Sequence, residues 1–443
     1  MERDDRLWRL TAVVLLGGIM GILDGTMVAV GIGTLAAEFD TSLGTIAWVS
    51  TGYLLALTLT IPVTTWAVDR FGGRGLWLGA LGLFLAASLA CGLAWDVGSL
   101  IVFRVLQGIA AGILDPLVLT LLARAAGPAR AGRVMGLMAG VLSLGPVLGP
   151  VVGGIVLETL GWRWMFLINL PIGLVALIGA LRLIPRDPPR TAVPRLDVLG
   201  LALLAPGFAA LIHTLAHGSL SWPALIPAAL LIGYTVHALR ARSTPPLIDL
   251  RLFARSGFAA GVIAMGLTGL AMYAILFALP LYHQQEHGAL AAGLLLAPFG
   301  ISSALAAPVA GRLADRSGAR GVVRTGALIA LLGTLALTQA EGRTWPTLAA
   351  IATGLGLGFI GAATMGSLYR SLPGPLVPQG SSVLYMLNQL GASIGIAAVT
   401  LIVRTWSFHG VYWLVTAAVL TILAGTSLLP GRPSPAVQKE FAA

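Results

Sequence analysis

Two stretches of the sequence repeat one another: Thr65-Trp-Ala-Val-Asp69-Arg70-Phe-Gly72-Gly-Arg74 and Gly311-Arg312-Leu-Ala-Asp315-Arg316-Ser-Gly318-Ala-Arg320. Each places an acid, a turn glycine and cations at the same offsets: Asp69, Arg70, Gly72 and Arg74, then Asp315, Arg316, Gly318 and Arg320. A single copy could be any tight turn that carries arginine and glycine. Two copies in matching places point to a chain built from two related halves. Such a loop can brace neighbouring helix ends through ion pairs that break and reform as two bundles rock.

Outward from these loops the chain is apolar. Of its 443 residues 57% are hydrophobic and 10% charged, against about 25% charged in a soluble domain. Fourteen apolar runs are predicted to be helices, near 10–34, 44–66, 75–94, 98–123, 134–157, 165–184, 198–216, 223–241, 257–282, 289–311, 322–340, 346–369, 380–404 and 411–429. Each is long enough to cross about 30 Å of hydrocarbon at ~1.5 Å per residue. The first run is full length and lacks a small-residue cleavage site, so it is expected to stay as a span.

The basic residues flank the runs. With the N-terminus inside, only Arg104, Arg163, Arg343 and Arg404 of the 27 Lys and Arg fall in or beside the outer half. The positive-inside bias therefore places both termini in the cytoplasm, in a plasma (bacterial cytoplasmic) membrane. The net charge of +10 then reads as topology signal and contact with anionic membrane lipid, not as a nucleic-acid surface. Lys439 is the sole lysine, so a phosphate-binding loop is excluded and ATP is not expected as a partner. Cys91, the one cysteine, excludes an internal disulfide, and no cofactor or metal site is expected. The Arg- and Pro-rich stretches 185–197 and 242–256 bracket the seventh and eighth runs. Three parts follow: 1–184 as a six-helix bundle, 185–256 as a linker with two extra helices, and 257–443 as a second six-helix bundle with a short tail.

The repeated loop resembles the signature between the second and third helices of the major facilitator superfamily, although Thr65 replaces its leading glycine in the first copy. In the fifth run Gly136, Gly145, Gly149-Pro150 and Gly153-Gly154 resemble the antiporter motif of its drug-exporting members. Small residues at helical spacing allow close backbone approach, and proline allows a kink; a generic packing face is the alternative. Leu23-Asp24-Gly25-Thr26, Trp48 to Tyr53, Arg104-Val-Leu-Gln107-Gly108, Gly161 to Pro171 and Leu279-Pro-Leu-Tyr282 narrow the resemblance to the fourteen-helix drug:proton antiporter branch. Departures are Ala29 and Gly33 in the first run and Asn388 in the thirteenth. The resemblance implies an all-α integral membrane fold of two six-helix bundles plus two central helices. It also implies export of a lipophilic small molecule, cationic drugs among them, in exchange for protons by alternating access.

Ionisable groups within a bilayer are expensive and mark function by default. Asp24 lies mid-run among apolar neighbours, where a carboxyl removed from water can take up a proton or attract a cationic substrate; the alternative is a neutral acid bonded to Thr26. For Arg104 the resemblance implies a role in proton coupling, against a snorkelling interfacial arginine. Asp115, 11 residues on and about 16 Å along the same helix, cannot pair with Arg104 directly. It is a candidate second proton or substrate site beside Pro116, or else a structural contact. Substrate contacts are expected from Asp24, Tyr53 and Asp115, and in the second half from Met265, Tyr273, Phe359, Tyr385, Asn388 and Gln389. Methionine and aromatic groups adapt to varied apolar ligands.

His283-Gln-Gln-Glu286-His287 matches a zinc-protease pattern by letter, but it falls in an expected outer loop with no third ligand. No nucleophile-base-acid set appears, so the chain is not expected to be an enzyme. Alternatives to drug:proton antiport are a dedicated exporter of one natural product, antibiotic or lipid, a proton-coupled importer, and a non-transporting scaffold or receptor.

Overall fold

The computed structural model describes residues 2–126, 145, 148–185, 187, 196–217, 225–241, 246–339, 344–371 and 377–429. All regular structure among them is helical. The helices are α1 (Glu2–Glu38), α2 (Trp48–Phe71), α3 (Gly73–Gly92), α4 (Val97–Ala126), α5 (Leu148–Thr159), α6 (Asn169–Leu183), α7 (Val198–His217) and α8 (Leu225–Arg240). They continue as α9 (Ser256–Ser317), α10 (Ala319–Thr338), α11 (Thr344–Ser371), α12 (Val377–Thr405) and α13 (Phe408–Gly425).

Twelve stretches among the described residues are long and apolar enough to cross a membrane, two of them inside α9. That is two fewer than the fourteen predicted runs. The run 223–241 is represented by α8, whose 16 residues extend about 24 Å at 1.5 Å per residue, short of a ~30 Å hydrocarbon core. The run 134–157 is represented by α5 and Gly145; Gly136 and its neighbours lie outside the described residues. A second difference concerns 283–287. The sequence predicts a loop there, but helical backbone continues through it within the 62 residues of α9. This pentapeptide contains neither proline nor glycine, so nothing in it interrupts the i→i−4 bonding.

Helix is the form a chain must take where water is absent, because it satisfies its own amides. Threonine hydroxyls follow the same rule by bonding the carbonyl one turn back: Thr58 to Leu54 at 2.6 Å, Thr268 to Ala264 at 2.7 Å, Thr416 to Tyr412 at 2.8 Å. Outside the spans, Asp96 caps α4. Its carboxylate accepts from the Ser99 amide at 2.6 Å, and that bond holds the carboxyl below the usual range.

The repeated loops share one backbone geometry. Gly72, between α2 and α3, has φ 87° and ψ 153°; Gly318, between α9 and α10, has φ 88° and ψ 158°. Only glycine occupies that region at low cost. Arg74 Nη2 donates to the carbonyl of Leu181 near the end of α6 (2.7 Å), and Arg320 Nε donates to that of Leu429 just past α13 (3.1 Å). Equivalent arginines thus tie the third helix of each half to the last. Asp69, Arg70 and Arg316 are exposed. The first loop has a further anchor: Asp187 accepts from the amides of Gly73 at 3.0 Å and Arg74 at 2.9 Å, capping the start of α3.

The chain divides into two compact units, Met1–Leu247 with Leu279–Leu294, and Ile248–Ala278 with Leu295–Ala443. In the first, α4 packs against α1, α2 and α3, and α6 against α1 and α3. In the second, α10 lies between α11 and α13.

Candidate functional site: a buried ion pair in the first unit

Five elements of the first unit converge on Asp24. It faces Arg104 of α4 in an ion pair, and both side chains are 0% exposed. Oδ1 of Asp24 accepts from Gln107 Nε2 at 3.0 Å and from Asn169 Nδ2 at 2.8 Å. Oδ2 accepts from Arg104 Nη1. Arg104 also donates from Nη1 to Gln107 Oε1 (2.7 Å) and from Nε to the carbonyl of Val49 on α2 (3.0 Å). Ser88 of α3 accepts from Gln107 Nε2 at 2.8 Å. The Cys91 thiol lies 3.8 Å from Gln107 Oε1.

Each part has a local cause. Arg104 and Gln107 are three residues apart on one helix, so their side chains lie side by side. Asn169 is the first residue of α6 and points into the bundle where that helix begins. A buried charge is tolerated only when paired and hydrogen-bonded, and this network does both. The two amides each hold donors and acceptors, so they can serve an ionised or a protonated carboxyl. Thr26, the alternative partner for Asp24, turns its hydroxyl to the carbonyls of Ile22 (2.8 Å) and Leu23 (3.1 Å).

Tyr53 and Asp115 belong to the same neighbourhood. Tyr53 donates its hydroxyl to the Gly21 carbonyl at 2.8 Å, and its ring faces Arg104, with Cζ 4.0 Å from the centroid. A Cβ on Gly21 would lie 3.6 Å from both Asp115 Oδ1 and the Tyr53 hydroxyl. Asp115 is half-buried. Four residues singled out in the sequence, Asp24, Tyr53, Arg104 and Asp115, therefore meet along one turn of α1.

The glycines of the fifth run pack on that same turn. A Cβ would fall 2.1 Å from Ile22 Cγ2 at Gly145, 1.9 Å from Thr26 Oγ1 at Gly149, and 3.0 Å from the Met27 carbonyl at Gly153. Spaced four residues apart, the three form a stripe against α1 on either side of Asp24. Pro150 and Gly154 face elsewhere: a Cβ on Gly293 would lie 2.4 Å from the Pro150 carbonyl and 3.6 Å from the Gly154 Cα.

In the second unit the candidates are less gathered. Asn388 donates to the Met265 carbonyl at 2.9 Å, joining α12 to α9. Phe359 lies over Gly326 of α10, where a Cβ would meet its own Cβ at 2.6 Å. Met265 and Gln389 are buried; Tyr273 and Tyr385 are half-buried. Asp315's side chain lies outside the described set.

Sequence reasoning singled out Asp24 and Arg104 but did not pair them. It missed Ser88, the Val49 carbonyl and Asp187, and quoted Gln107 and Asn169 only as parts of motifs. The available signal was depth. Asp24 is ten residues from the outer end of the run 10–34, and Arg104 six from the outer end of 98–123. At 1.5 Å per residue the two differ by about 6 Å, within the reach of an arginine.

Comparison with known proteins agrees with this architecture. The sequence matches the profile of the Major Facilitator Superfamily over residues 14–288 and 261–443. It is 36% identical over 423 residues to a multidrug resistance protein B homolog of Mycobacterium tuberculosis, covering 92% of this chain and 78% of that one. It is 29% identical over 405 residues to the tetracenomycin C resistance and export protein of Streptomyces glaucescens, covering 88% and 75%. The fold is shared with the crystal structure of a D-xylose-proton symporter, at a TM-score of 0.72 and 16% identity, covering 96% of this chain and 98% of that one. With the profile matched along both halves and twelve helical stretches of membrane length among the described residues, the chain belongs to the Major Facilitator Superfamily and is an integral membrane transporter.

Proposed function

We propose that this transporter is a proton-coupled antiporter that exports lipophilic drugs, cationic ones included, by alternating access. The observation that carries the reading is the Asp24–Arg104 pair, fully enclosed within membrane-length helices. A proton arriving at Asp24 cancels its charge and dissolves the attraction to Arg104. That is a local event large enough to bias a two-state element. Asp24 carries the proton, Arg104 sets how firmly it is held, and Asp115 supplies a second acid one turn away. The glycine stripe of Gly145, Gly149 and Gly153 supports the reading by bringing α5 against the turn that bears Asp24. In this reading α5 and α8 belong to two further crossings, fourteen in all, with both termini cytoplasmic. Met265, Tyr273, Phe359, Tyr385, Asn388 and Gln389 line the substrate path of the second half.

The test is ethidium movement in proteoliposomes with and without an imposed pH gradient. Flux that requires the gradient supports antiport. No gradient-dependent flux with ethidium or a panel of other dyes overturns it. A second reading, a dedicated exporter of one natural product, is favoured by the relative named for tetracenomycin C export. It would show coupled flux confined to a single compound class.

A further inference from the structure

We propose that the rings of Tyr53 and Phe166 hold the Arg104 guanidinium in place while Asp24 carries a proton, and so set how readily the ion pair opens. The inference rests on the proton-coupled reading above. The sequence places Tyr53 among the substrate contacts, but at 1% exposed it is walled in. A Cβ on Gly25 would lie 3.2 Å from its Cε1, and the hydroxyl bond to the Gly21 carbonyl fixes the ring. What Tyr53 presents is the face of its ring, and what lies over that face is Arg104, 4.0 Å from the centroid. A second ring, Phe166, lies 5.7 Å from the same carbon.

The remaining surroundings of the guanidinium explain why the rings matter. Nε and Nη1 are engaged by Val49, Gln107 and Asp24. Nη2 is buried and has no hydrogen-bond partner among the described residues. With Asp24 ionised the charges balance. With Asp24 protonated, a whole positive charge stays in the membrane interior with two neutral oxygens and two ring faces. An aromatic face attracts a cation through its quadrupole, more strongly when water is excluded. The ring face does not titrate. With Asp24 ionised, the ring's attraction for the guanidinium is partly offset by repulsion of the neighbouring carboxylate; when that charge is gone the offset goes, so the rings favour the protonated state.

Among the described residues, the titratable groups about this guanidinium are Asp24 from α1, Tyr53 from α2 and, through Gln107, Cys91 from α3. Asp115 on α4 is the next acid along α1, and α6 and the turn before it contribute the neutral Asn169 and Phe166. The step is a single proton transfer: a hydronium ion of the bathing solution gives up an O–H bond and becomes water, Asp24 gains the O–H bond, and its ion pair with Arg104 is lost. Because the rings stabilise the protonated state, removing one makes protonation harder, and transport then needs a lower pH.

The experiment is the pH profile of ethidium flux in proteoliposomes for the full chain and for Tyr53→Phe, Tyr53→Leu and Phe166→Leu, with thermal melting to confirm folding. Tyr53→Phe keeps the ring and is expected to keep the wild-type midpoint, at a lower rate. Tyr53→Leu is expected to move the midpoint about one pH unit lower, and Phe166→Leu to move it the same way by less. Should Tyr53→Leu not fold, Phe166→Leu carries the test with the same sign. Folded leucine variants with wild-type midpoints, beside a wild type that needs the gradient, overturn the inference alone. A wild type with no gradient-dependent flux overturns the proton-coupled reading and this inference with it.

Discussion

The Thr26 hydroxyl oxygen stands 1.9 Å from the point where a Cβ on Gly149 would be. Two helices 119 residues apart at their recorded bond, Thr26 Oγ1 to the Gly145 carbonyl at 3.4 Å, meet with no side chain between them. Gly149→Ala is therefore expected to part α1 from α5 at the turn carrying Asp24, at a cost of about 1–3 kcal/mol. Gly79→Ala, where a Cβ meets open space, is expected to be neutral or to gain up to about 1 kcal/mol. Thermal melting of the two purified variants checks both. Equal melting points would mean that the α1–α5 contact is looser than described.

The matched turns give a paired expectation. Gly72 and Gly318 hold φ near 87–88° with extended ψ, a region closed to residues with a Cβ. Gly72→Ala and Gly318→Ala are each expected to cost about 1–3 kcal/mol, and by similar amounts because the geometry is the same. Melting curves measure this. A large cost at one and none at the other would break the equivalence of the two halves.

Asp187 offers a smaller test. Its carboxylate takes two backbone amides at the start of α3, so Asp187→Ala is expected to cost about 0.5–2 kcal/mol. Asp187→Asn, which keeps an acceptor, is expected to cost less. Hydrogen exchange in the first turn of α3 should quicken in the alanine variant and not at the far end of the helix.

The ion pair itself has a stability signature. Removing one partner of a buried pair leaves the other charge uncompensated, at roughly 3–5 kcal/mol. Asp24→Asn and Arg104→Gln are each expected to melt well below wild type, and the double variant above both. Singles that melt like wild type would mean that the pair is not ionised in the folded protein.

Much of this was legible in the sequence. The repeated loop announced two halves because turn glycines and flanking arginines are local requirements, and local chemistry is written in local residues. Asp24, Arg104 and Asp115 stood out because charge is rare among apolar runs. Their assembly was not legible: the bond between Asp24 and Arg104 joins residues 80 apart, and no local rule states which helix lies beside which. The packing of Tyr53 against Arg104 was not legible for a related reason. An aromatic residue on a membrane helix looks alike whether it faces a ligand or an arginine, and burial decides between them. The span count differed at α8, where a run long enough by composition forms a helix of only 16 residues.

The central claim, that Asp24 carries the coupled proton, is tested most directly by drug-driven proton movement in proteoliposomes with a trapped pH dye, wild type beside Asp24→Asn. The account expects ethidium to drive a pH change in the wild type and none in folded Asp24→Asn. A folded Asp24→Asn protein that still exchanges ethidium for protons would contradict it.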